Sequence, residues 1–117
     1  MINNLNAVSL FSGLGGMDLG LIGGFSYLGN HYAKNKASIK YSMDFDKPTC
    51  DIFNSNFNHE CHHQDITQLD EKDVPAHDIL LGGFPCQSFS VSAQNPPRLG
   101  FKDDRGKLFF EMCRILK

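Results

Sequence analysis

The sequence places one cysteine where nucleophilic chemistry is expected. Cys86 directly follows a proline in the segment Gly83-Phe84-Pro85-Cys86-Gln87-Ser88-Phe89-Ser90, where an apolar run ends and a long loop begins. A nucleophilic thiol needs solvent access and a lowered pKa, and cationic residues of the loop, such as Arg98, Lys102 or Arg105, are candidates for lowering it. The alternative is an unreactive cysteine in a turn, although a structural cysteine is more often buried on the face of a strand or helix. The position therefore favours a catalytic thiol.

A glycine-rich turn near the N-terminus indicates a second site. Ser12-Gly13-Leu14-Gly15-Gly16 separates a short apolar run from a segment with helical spacing. Its glycines match the first two glycines of the dinucleotide-binding pattern G-x-G-x-x-G, but Asp18 stands at the third. Because a carboxylate beside a pyrophosphate is unfavourable, a cofactor with a cationic centre and an α-amino group fits better than a dinucleotide. An ordinary tight turn explains the glycines equally well.

Acidic and aromatic residues follow the second predicted strand. Asp44 lies 28 residues after Gly16, whereas the acidic residue that accepts ribose hydroxyls usually lies about 20 residues on. The polar segment 26–36 accounts for the excess, and Phe45 offers a flat surface to an adenine ring. The alternative is that Asp44 and Asp46 are solvated acids that favour the start of a helix. Together with the glycine turn, the pattern favours a nucleoside site.

A similar pair follows the third predicted strand. Asp65 and Ile66 are placed to contact the exocyclic amine of that adenine ring and to cover its other face. With the glycine turn and Asp44, they form a cluster of candidate ligand contacts after successive strands.

The elements that must position these residues alternate between strand and helix. Apolar runs predict strands at residues 7–11, 39–43, near 60–62 and at 78–83. Helical spacing predicts helices at 17–22, from 47 to the segment 54–58, and at 106–116, with a surface loop at 26–36 and a long loop at 84–105. This alternation predicts an α/β fold with a parallel sheet and right-handed crossovers, whose ligands bind at the carboxyl ends of the strands.

Composition bounds the class of protein. The chain has 117 residues, a net charge of −2 and four cysteines without a C-x-x-C pair, which suits one domain in a reducing cytoplasm rather than a disulfide scaffold. Neither a membrane span nor a secretory signal is predicted. Residues 1–96 carry −5 and residues 97–117 carry +3. This positive segment could meet phosphates, although charge alone favours a solvated basic segment.

Taken together, these segments resemble bacterial DNA (cytosine-5)-methyltransferases. The first and fourth motifs of that family are similar to Leu10-Phe11-Ser12-Gly13-Leu14-Gly15-Gly16 and to the segment around Cys86. The intervening and following motifs resemble, in order, Asp44-Phe45-Asp46-Lys47, Gln64-Asp65-Ile66-Thr67 and Asp103-Asp104-Arg105-Gly106-Lys107-Leu108-Phe109. Related enzymes that act on tRNA tend to have Pro-Pro-Cys where this chain has Phe84-Pro85-Cys86, so the resemblance favours DNA.

The resemblance implies a Rossmann-like methyltransferase fold that binds S-adenosylmethionine and double-stranded DNA, and a place in a restriction-modification system. The implied nucleophile is Cys86, which attacks carbon 6 of a cytosine flipped out of the duplex. The implied cofactor contacts are Phe11, Ser12, Gly13, Gly15, Gly16, Met17, Asp44, Phe45, Asp65, Ile66, Pro85 and Leu108. The implied DNA contacts are Gln87, Ser88, Ser90, Arg98 and Arg105, in a loop that closes over the site. No metal ligand is implied.

The resemblance covers the N-terminal part of a catalytic domain, with residues 1–117 holding the cofactor site and the cysteine. Family members continue with a Glu-Asn-Val segment whose glutamate assists at the cytosine ring, an arginine-rich strand, a target-recognition region and a final helix. We therefore expect a sheet truncated after about four strands and little activity from this chain alone, since ring protonation contributes about 100- to 10,000-fold in rate. A fragment, a split subunit and a truncated remnant all fit this pattern.

Three further expectations follow from the residues. The last helix has an apolar face, formed by Leu108, Phe109, Met112 and Ile115, which we expect to associate with a complementary chain or a second copy. A module that binds S-adenosylmethionine or a partner without chemistry is the main alternative function, and a nicotinamide oxidoreductase is the third. Zinc is not predicted at His59, Cys61, His62 and His63 with Cys50, because adjacent histidines on a strand point to opposite faces.

Overall fold

A four-stranded parallel sheet organises the chain. The computed structural model describes residues 4–84 and 107–116. In chain order its elements are β1 (Leu5–Leu10), α1 (Gly16–Ile22), β2 (Phe25–Tyr27), β3 (Asn30–Tyr32), β4 (Ala37–Asp44), α2 (Lys47–Asn56), β5 (Cys61–His63), β6 (Ile79–Gly82) and α3 (Leu108–Leu116), with short 3-10 helices at Ile66–Gln68 and Glu71–Asp73. The sheet order is β5-β4-β1-β6 and every pairing in it is parallel. The predicted α/β class with a parallel sheet is confirmed.

The first strand lies between β4 and β6, and its last four side chains are buried, so both of its faces are covered. Ala7 and Val8 are fully buried and Leu10 is nearly so, as expected of a parallel strand covered on both sides. The strand order changes direction between β1 and β6, which makes this position the topological switch point of the sheet. In α/β sheets the ligand crevice lies at the carboxyl ends of the strands beside such a point. The described fold therefore directs attention to the residues that follow β1 and its neighbours.

The prediction of a surface loop at 26–36 is wrong in part. Strands β2 and β3 form an antiparallel hairpin over residues 25–32, most of which lie in that segment, and the rings of Phe25 and Tyr32 stack with centroids 5.0 Å apart. The turn residues Leu28 and Gly29 have φ angles of 49° and 78°, the left-handed backbone that two-residue hairpin turns require. The prediction missed the hairpin because leucine rather than asparagine occupies the first turn position.

Helix α2 begins where its sequence signals place it. Asp46 caps the helix by accepting a hydrogen bond from the backbone N–H of Thr49, and Pro48 lies in the first turn. The helix buries Cys50 and Phe53 against the sheet. Cys50 Sγ lies 3.6 Å from Cys61 Sγ on β5, so these two buried thiols join the helix to the edge strand.

Helix α3 packs against the sheet rather than leaving its apolar face bare. Ile115 is buried in a cluster with Val8, Leu10, Met43 and other core side chains, and Leu108 and Met112 pack against the same cluster. These three side chains are therefore not the association surface that the sequence predicted. Phe109 is 38% exposed and Phe110 is 51% exposed.

Arg114 connects helix α3 to the segment after β5 by hydrogen bonds. Its guanidinium donates to the backbone oxygens of Ile66 and Leu69, both at 2.8 Å, and to the carboxylates of Glu71 and Glu111. Hydrogen bonds to the two carboxylates raise the pKa of Arg114, with Glu111 the larger cause. Arg114, one of the cations of the basic C-terminal segment, is thus bonded within the fold and is not available to bind phosphates.

Within the described part of the chain, no helix has the length and apolar character needed to cross a membrane. Nor do three His, Cys, Asp or Glu side chains of residues 4–84 and 107–116 converge as a set of metal ligands. His62 instead stacks on Tyr41, with ring centroids 4.8 Å apart.

Candidate cofactor site

The glycine turn folds back over the end of β1. Phe11, Gly13 and Gly15 all have positive φ angles, of 53°, 60° and 94°. The backbone N–H of Ser12 donates to the carbonyl oxygen of Met43 at 3.0 Å, and that of Gly15 donates to the carbonyl oxygen of Ser12 at 3.0 Å. A left-handed backbone at an aromatic residue costs energy. The turn is therefore a tightly specified structure that departs from ordinary strand-to-helix geometry.

Asp44 ends β4 directly beside this turn. Its Oδ2 accepts a hydrogen bond from the backbone N–H of Gly13 at 2.9 Å, and its Oδ1 accepts one from the backbone N–H of Asp46 at 2.9 Å. A carboxylate has about four lone-pair positions, so both oxygens keep acceptor capacity after these bonds. The structure thus brings together Gly13 and Asp44, two of the predicted cofactor contacts.

An exposed side chain follows each member of this pair in the sequence, Met17 after Gly13 and Phe45 after Asp44. Phe45 is 67% exposed and Met17 is 53% exposed. A large apolar ring left open to solvent beside a carboxylate suits a flat, partly polar ligand such as a nucleoside. The predicted adenine contact of Phe45 is compatible with this exposure.

The glycines of the turn have different surroundings. A Cβ atom added at Gly15 would lie 2.3 Å from Cε2 of Phe57 and 2.9 Å from Cε2 of Phe53. At Gly13 and Gly16 it would meet no atom within 4 Å. Gly15 is therefore needed for the close approach of α2, whereas Gly13 and Gly16 leave space next to the backbone.

Asp65 and Ile66 are placed differently from each other. Asp65 caps the first 3-10 helix, and its Oδ1 accepts from the backbone N–H and the hydroxyl of Thr67 at 2.9 and 2.7 Å. These bonds lower the pKa of Asp65, the side-chain bond most strongly. The side chain of Ile66 is only 3% exposed and belongs to the core. The carbonyl oxygen of Ile66 already accepts hydrogen bonds from Arg114 and from the backbone N–H of Leu69. The backbone N–H of Ile66, rather than its side chain or its carbonyl oxygen, is therefore the candidate contact for a ligand.

Leu108 begins α3 and packs against the same core cluster as Phe11. These two residues, both predicted to contact the cofactor, therefore lie against the same part of the hydrophobic core. The remaining predicted residues lie outside the described parts of the chain. They are Pro85, Cys86, Gln87, Ser88, Ser90, Arg98 and Arg105.

The position of Asp18 in the glycine pattern suggested that its side chain faces the ligand, but the structure places it on the other side of the turn. The residue is fully buried, and its carboxylate accepts hydrogen bonds from the hydroxyls of Ser9 at 2.6 Å and Ser42 at 3.0 Å. His59 Nε2 lies 3.2 Å from its Oδ2. Because the carboxylate points into the fold, the expected repulsion of a pyrophosphate by direct contact with Asp18 is wrong.

Sequence reasoning therefore missed three residues next to the turn: Ser9, Ser42 and His59. Two of them carry a visible signal, since a serine in the middle of an apolar parallel strand must find a hydrogen-bond partner once it is buried. His59 carried none, because it lies 41 residues from Asp18 in the sequence.

An open cavity of about 560 Å³ lies between α1 and the end of α2. Its lining is mostly apolar and consists of Leu14, Gly15, Gly16, Leu19, Ile22, Asn56, Phe57, Asn58 and His59. Asp44, Phe45 and Asp65 are not among these residues. The cavity is therefore a separate feature from the strand-end cluster around Asp44.

Comparison with known proteins identifies one family over nearly the whole chain. The family model described as C-5 cytosine-specific DNA methylase matches residues 5–117. Similar curated proteins include the type II methyltransferase M1.ScrFI of Lactococcus lactis subsp. cremoris, 44% identical over 94% of this chain and 25% of that protein. Another is the type II methyltransferase M.HhaI of Haemophilus parahaemolyticus, 40% identical over 99% of this chain and 31% of that protein.

A third relative, the type II methyltransferase M.NgoBI of Neisseria gonorrhoeae, is 40% identical over 94% of this chain and 30% of its own length. The chain thus spans between a quarter and a third of these relatives. The match extends over both described parts, from β1 to α3, and includes the segment between them. On this basis the chain belongs to the C-5 cytosine-specific DNA methylase family.

Proposed function

We propose that this chain carries the methyl-donor site and the nucleophile of an enzyme that methylates carbon 5 of cytosine in DNA. The observation that carries the proposal is the hydrogen bond from Gly13 to Asp44, which holds the glycine turn and a carboxylate together at the carboxyl edge of the sheet. Membership of the cytosine-specific DNA methylase family supports it. The relatives' names also support a role as the modification enzyme of a restriction-modification system.

The residues present fit S-adenosylmethionine as the methyl donor. Asp44 keeps lone pairs for the ribose hydroxyls, and the exposed ring of Phe45 is available to the adenine. The open backbone at Gly13 and Gly16 allows a ligand to approach closely. When bound, this cofactor supplies an electrophilic methyl group on a sulfonium centre.

The remaining predicted cofactor contacts are assigned to the two ends of the ligand. Phe11, Ser12, Gly15 and Met17 would surround its amino-acid part, and Asp65, with the backbone of Ile66, would contact the adenine edge. Pro85 and Leu108 would lie close to the cofactor and to Cys86. The ionised state of Asp65, favoured by its bonds to Thr67, suits an acceptor of an exocyclic amine.

Cys86 is the proposed nucleophile. Its thiolate would form a bond to carbon 6 of cytosine, and the electrons of the C5–C6 double bond would move to carbon 5. Carbon 5 would then take the methyl group as the bond from that group to the sulfonium sulfur breaks, and the sulfur would keep the electron pair as a neutral thioether. Loss of the proton from carbon 5 to a base then restores the double bond and expels the thiolate. The cytosine must leave the base stack for this attack, as is usual for enzymes that act on a base.

The segment after Cys86 is proposed to contact the DNA. Arg98 and Arg105 would pair with phosphates, which position a duplex without reading its sequence. Gln87, Ser88 and Ser90 would fill the space left by the flipped base. Closure of this segment would exclude water during the covalent step.

Trapping with a mechanism-based cytosine analogue tests the nucleophile. The chain, supplemented with the C-terminal part of a related type II methyltransferase, is incubated with S-adenosylmethionine and duplex DNA that contains 5-fluorocytosine. We expect a covalent adduct that is lost in Cys86→Ser and kept in Cys113→Ser, because Cys113 is an exposed thiol on α3 with no role in the proposed chemistry. An adduct that survives Cys86→Ser, or no adduct at all, would overturn the catalytic assignment.

Calorimetric titration tests the cofactor site and separates the other candidate functions. We expect S-adenosylmethionine to bind the 117-residue chain and NAD not to bind. Cofactor binding without a trapped adduct would instead indicate a non-catalytic binding module. Binding of NAD without binding of S-adenosylmethionine would indicate a nicotinamide oxidoreductase.

A further inference from the structure

Two buried thiols face each other where helix α2 meets strand β5. Cys50 Sγ lies 3.6 Å from Cys61 Sγ, each residue is 2% exposed, and both are free thiols. A disulfide has an S–S bond of about 2.05 Å, so the sulfur atoms need to approach each other by about 1.5 Å to form one. The fold thus holds sulfur atoms from two different elements at a distance from which a small movement joins them.

The surroundings of these sulfur atoms are polar. The Cys50 thiol lies 3.6 Å from the carbonyl oxygen of Asp44 and 3.7 Å from that of His62, and the Cys61 thiol donates a hydrogen bond to the Cys50 sulfur. A cysteine that serves only as a small apolar side chain does not need such partners. Each thiol proton therefore has an acceptor, and the two sulfur atoms are ordered relative to each other.

The direction of the S–H bond distinguishes the two sulfur atoms. Because Cys61 donates to Cys50, a negative charge on the Cys50 sulfur would be stabilised by that S–H group. Burial and the hydrogen bond to Cys50 raise the pKa of Cys61, which disfavours its thiolate. Cys50 is therefore the better placed sulfur to attack an oxidant. Contact between the two sulfur atoms then compensates for the small thiolate fraction of Cys61 in a second step.

We propose that Cys50 and Cys61 form an oxidation site, which hydrogen peroxide converts into a disulfide between α2 and β5. The Cys50 sulfur attacks one peroxide oxygen, the O–O bond breaks, and the released hydroxide takes the Cys50 thiol proton to form water. The Cys61 sulfur then attacks the sulfur of the resulting sulfenic acid, the S–O bond breaks, and the hydroxide leaves with the Cys61 proton as a second water. The two thiols lose two electrons in total, and the peroxide gains them.

The enclosure of the site selects the class of oxidant. Hydrogen peroxide is uncharged and only slightly larger than water, whereas oxidised glutathione must bring a bulky charged molecule to a sulfur that is 2% exposed. The product cross-links the helix that follows Asp44 and Phe45 to the strand that precedes Asp65. Neither step requires the cofactor or the DNA of the proposed function.

Mass spectrometry of a chain with two cysteines tests the site. The double variant Cys86→Ser, Cys113→Ser keeps only Cys50 and Cys61 of the four cysteines. We expect hydrogen peroxide to remove the mass of two hydrogen atoms from the folded variant, and peptide mapping to find a disulfide between residues 50 and 61. A disulfide between two chains would overturn the proposal. So would an unchanged mass at a peroxide concentration that oxidises Cys113 in the unaltered chain.

Removal of each inner cysteine in the same background tests the two roles. Cys61→Ala leaves the attacking sulfur without a partner, so we expect peroxide to form a sulfenic acid on Cys50, which dimedone traps once the chain is unfolded. Cys50→Ala leaves Cys61, whose thiolate is disfavoured, so we expect oxidation that is about tenfold slower or more. Faster oxidation of Cys61 than of Cys50 would overturn the assigned roles.

The dependence on urea separates a preformed pair from thiols that react only after local unfolding. Disulfide formation by peroxide should proceed at the same rate at low urea concentrations, because the sulfur atoms are already in contact. The reaction with oxidised glutathione should be slow and should accelerate with urea, because this larger reagent must wait for the fold to open. Parallel acceleration with both oxidants would overturn the proposal.

The melting temperature reports whether the fold accommodates the bond. The two cysteines are 11 positions apart, and closing a loop of this size restricts the unfolded chain. We expect the oxidised variant to melt about 5 °C or more above its reduced form, and dithiothreitol to reverse the shift. A lower melting temperature in the oxidised form would show that the fold does not hold the sulfur atoms in position to bond, and would overturn the proposal.

Discussion

The backbone N–H of Gly13 donates a hydrogen bond of 2.9 Å to Oδ2 of Asp44, so residues 31 positions apart in the sequence meet at the carboxyl edge of the sheet. The bond joins the turn after β1 to the last residue of β4. A ligand that bridges these two strands would find a turn already held in place and a carboxylate with spare lone pairs. This relationship yields the first prediction.

Asp44→Ala should weaken binding of S-adenosylmethionine by about tenfold or more, because the two charge-assisted hydrogen bonds that we propose between Asp44 and the ribose hydroxyls would be lost. It should also lower the free energy of unfolding by about 1–3 kcal/mol, since the N–H groups of Gly13 and Asp46 lose their acceptor. Calorimetry and urea denaturation measure the two effects. The control is Asp51→Ala, whose exposed ion pair with Lys47 contributes little. Unchanged affinity in Asp44→Ala would remove this residue from the site.

Gly15→Ala and Gly16→Ala should differ sharply, although the residues are adjacent. At Gly15 a Cβ would overlap the ring of Phe57, and the φ of 94° is unfavourable for alanine, which together predict a loss of about 2–4 kcal/mol in the free energy of unfolding. Gly16 has open space and begins a helix, so its alanine variant should fold normally. Chemical denaturation of the two variants measures the difference. Equal stability would contradict the packing of α2 on the turn.

The hairpin turn offers a stabilising substitution. Leu28 is 80% exposed and has a φ of 49°, a backbone conformation that asparagine and glycine adopt more easily. Leu28→Asn should therefore raise the free energy of unfolding by about 0.5–1 kcal/mol, and Leu28→Val should lower it because a β-branched residue is disfavoured there. Thermal denaturation compares the pair. A stabilising effect of valine would mean that the turn differs from the one described.

The acid side of the stability profile should depend on helix-capping carboxylates. Hydrogen bonds from Thr49 lower the pKa of Asp46, and those from Thr67 lower the pKa of Asp65, both from an ordinary value of 3.8. A carboxyl whose pKa is lower in the folded chain stabilises the fold above the unfolded-state value, and this contribution disappears as the pH falls through the folded-state value. Stability should thus decrease as the pH drops below about 4.

The double variant Asp46→Asn, Asp65→Asn tests this origin, because asparagine still caps a helix but does not titrate in this range. Its unfolding free energy should fall less steeply between neutral pH and pH 3 than that of the unaltered chain. Urea denaturation at several pH values gives the slopes. Parallel slopes would locate the acid sensitivity in other groups.

Removing the guanidinium of Arg114 should detach helix α3. In Arg114→Lys a single ammonium replaces the planar fork that spans the backbone oxygens of Ile66 and Leu69. We expect a loss of about 1–3 kcal/mol in the free energy of unfolding. Amide hydrogen exchange within α3 should accelerate more than exchange in β1. Uniform acceleration across the chain would show that the helix unfolds together with the sheet instead of separating first.

The parts of the fold that sequence predicted are those with local signals. The apolar run at Ala7–Leu10, the glycines that end it and Asp44 after the next strand are all specified by neighbouring residues, and parallel pairing then places them at one edge. The partners of Asp18 and Arg114 were not predictable in this way. Ser42 and His59 are 24 and 41 residues from Asp18, and Ile66 is 48 residues from Arg114. Such contacts depend on how strands and helices stack, which local periodicity does not encode.

The adjacent sulfur atoms of Cys50 and Cys61 have a practical consequence. Both thiols are 2% exposed, whereas Cys113 is open to solvent on α3. Burial also raises the pKa of Cys61, which suppresses the reactive thiolate. An alkylating reagent followed by mass spectrometry would therefore label Cys113 at once and the inner pair only when α2 separates from β5, so the rate of that second labelling measures how often this edge of the sheet opens.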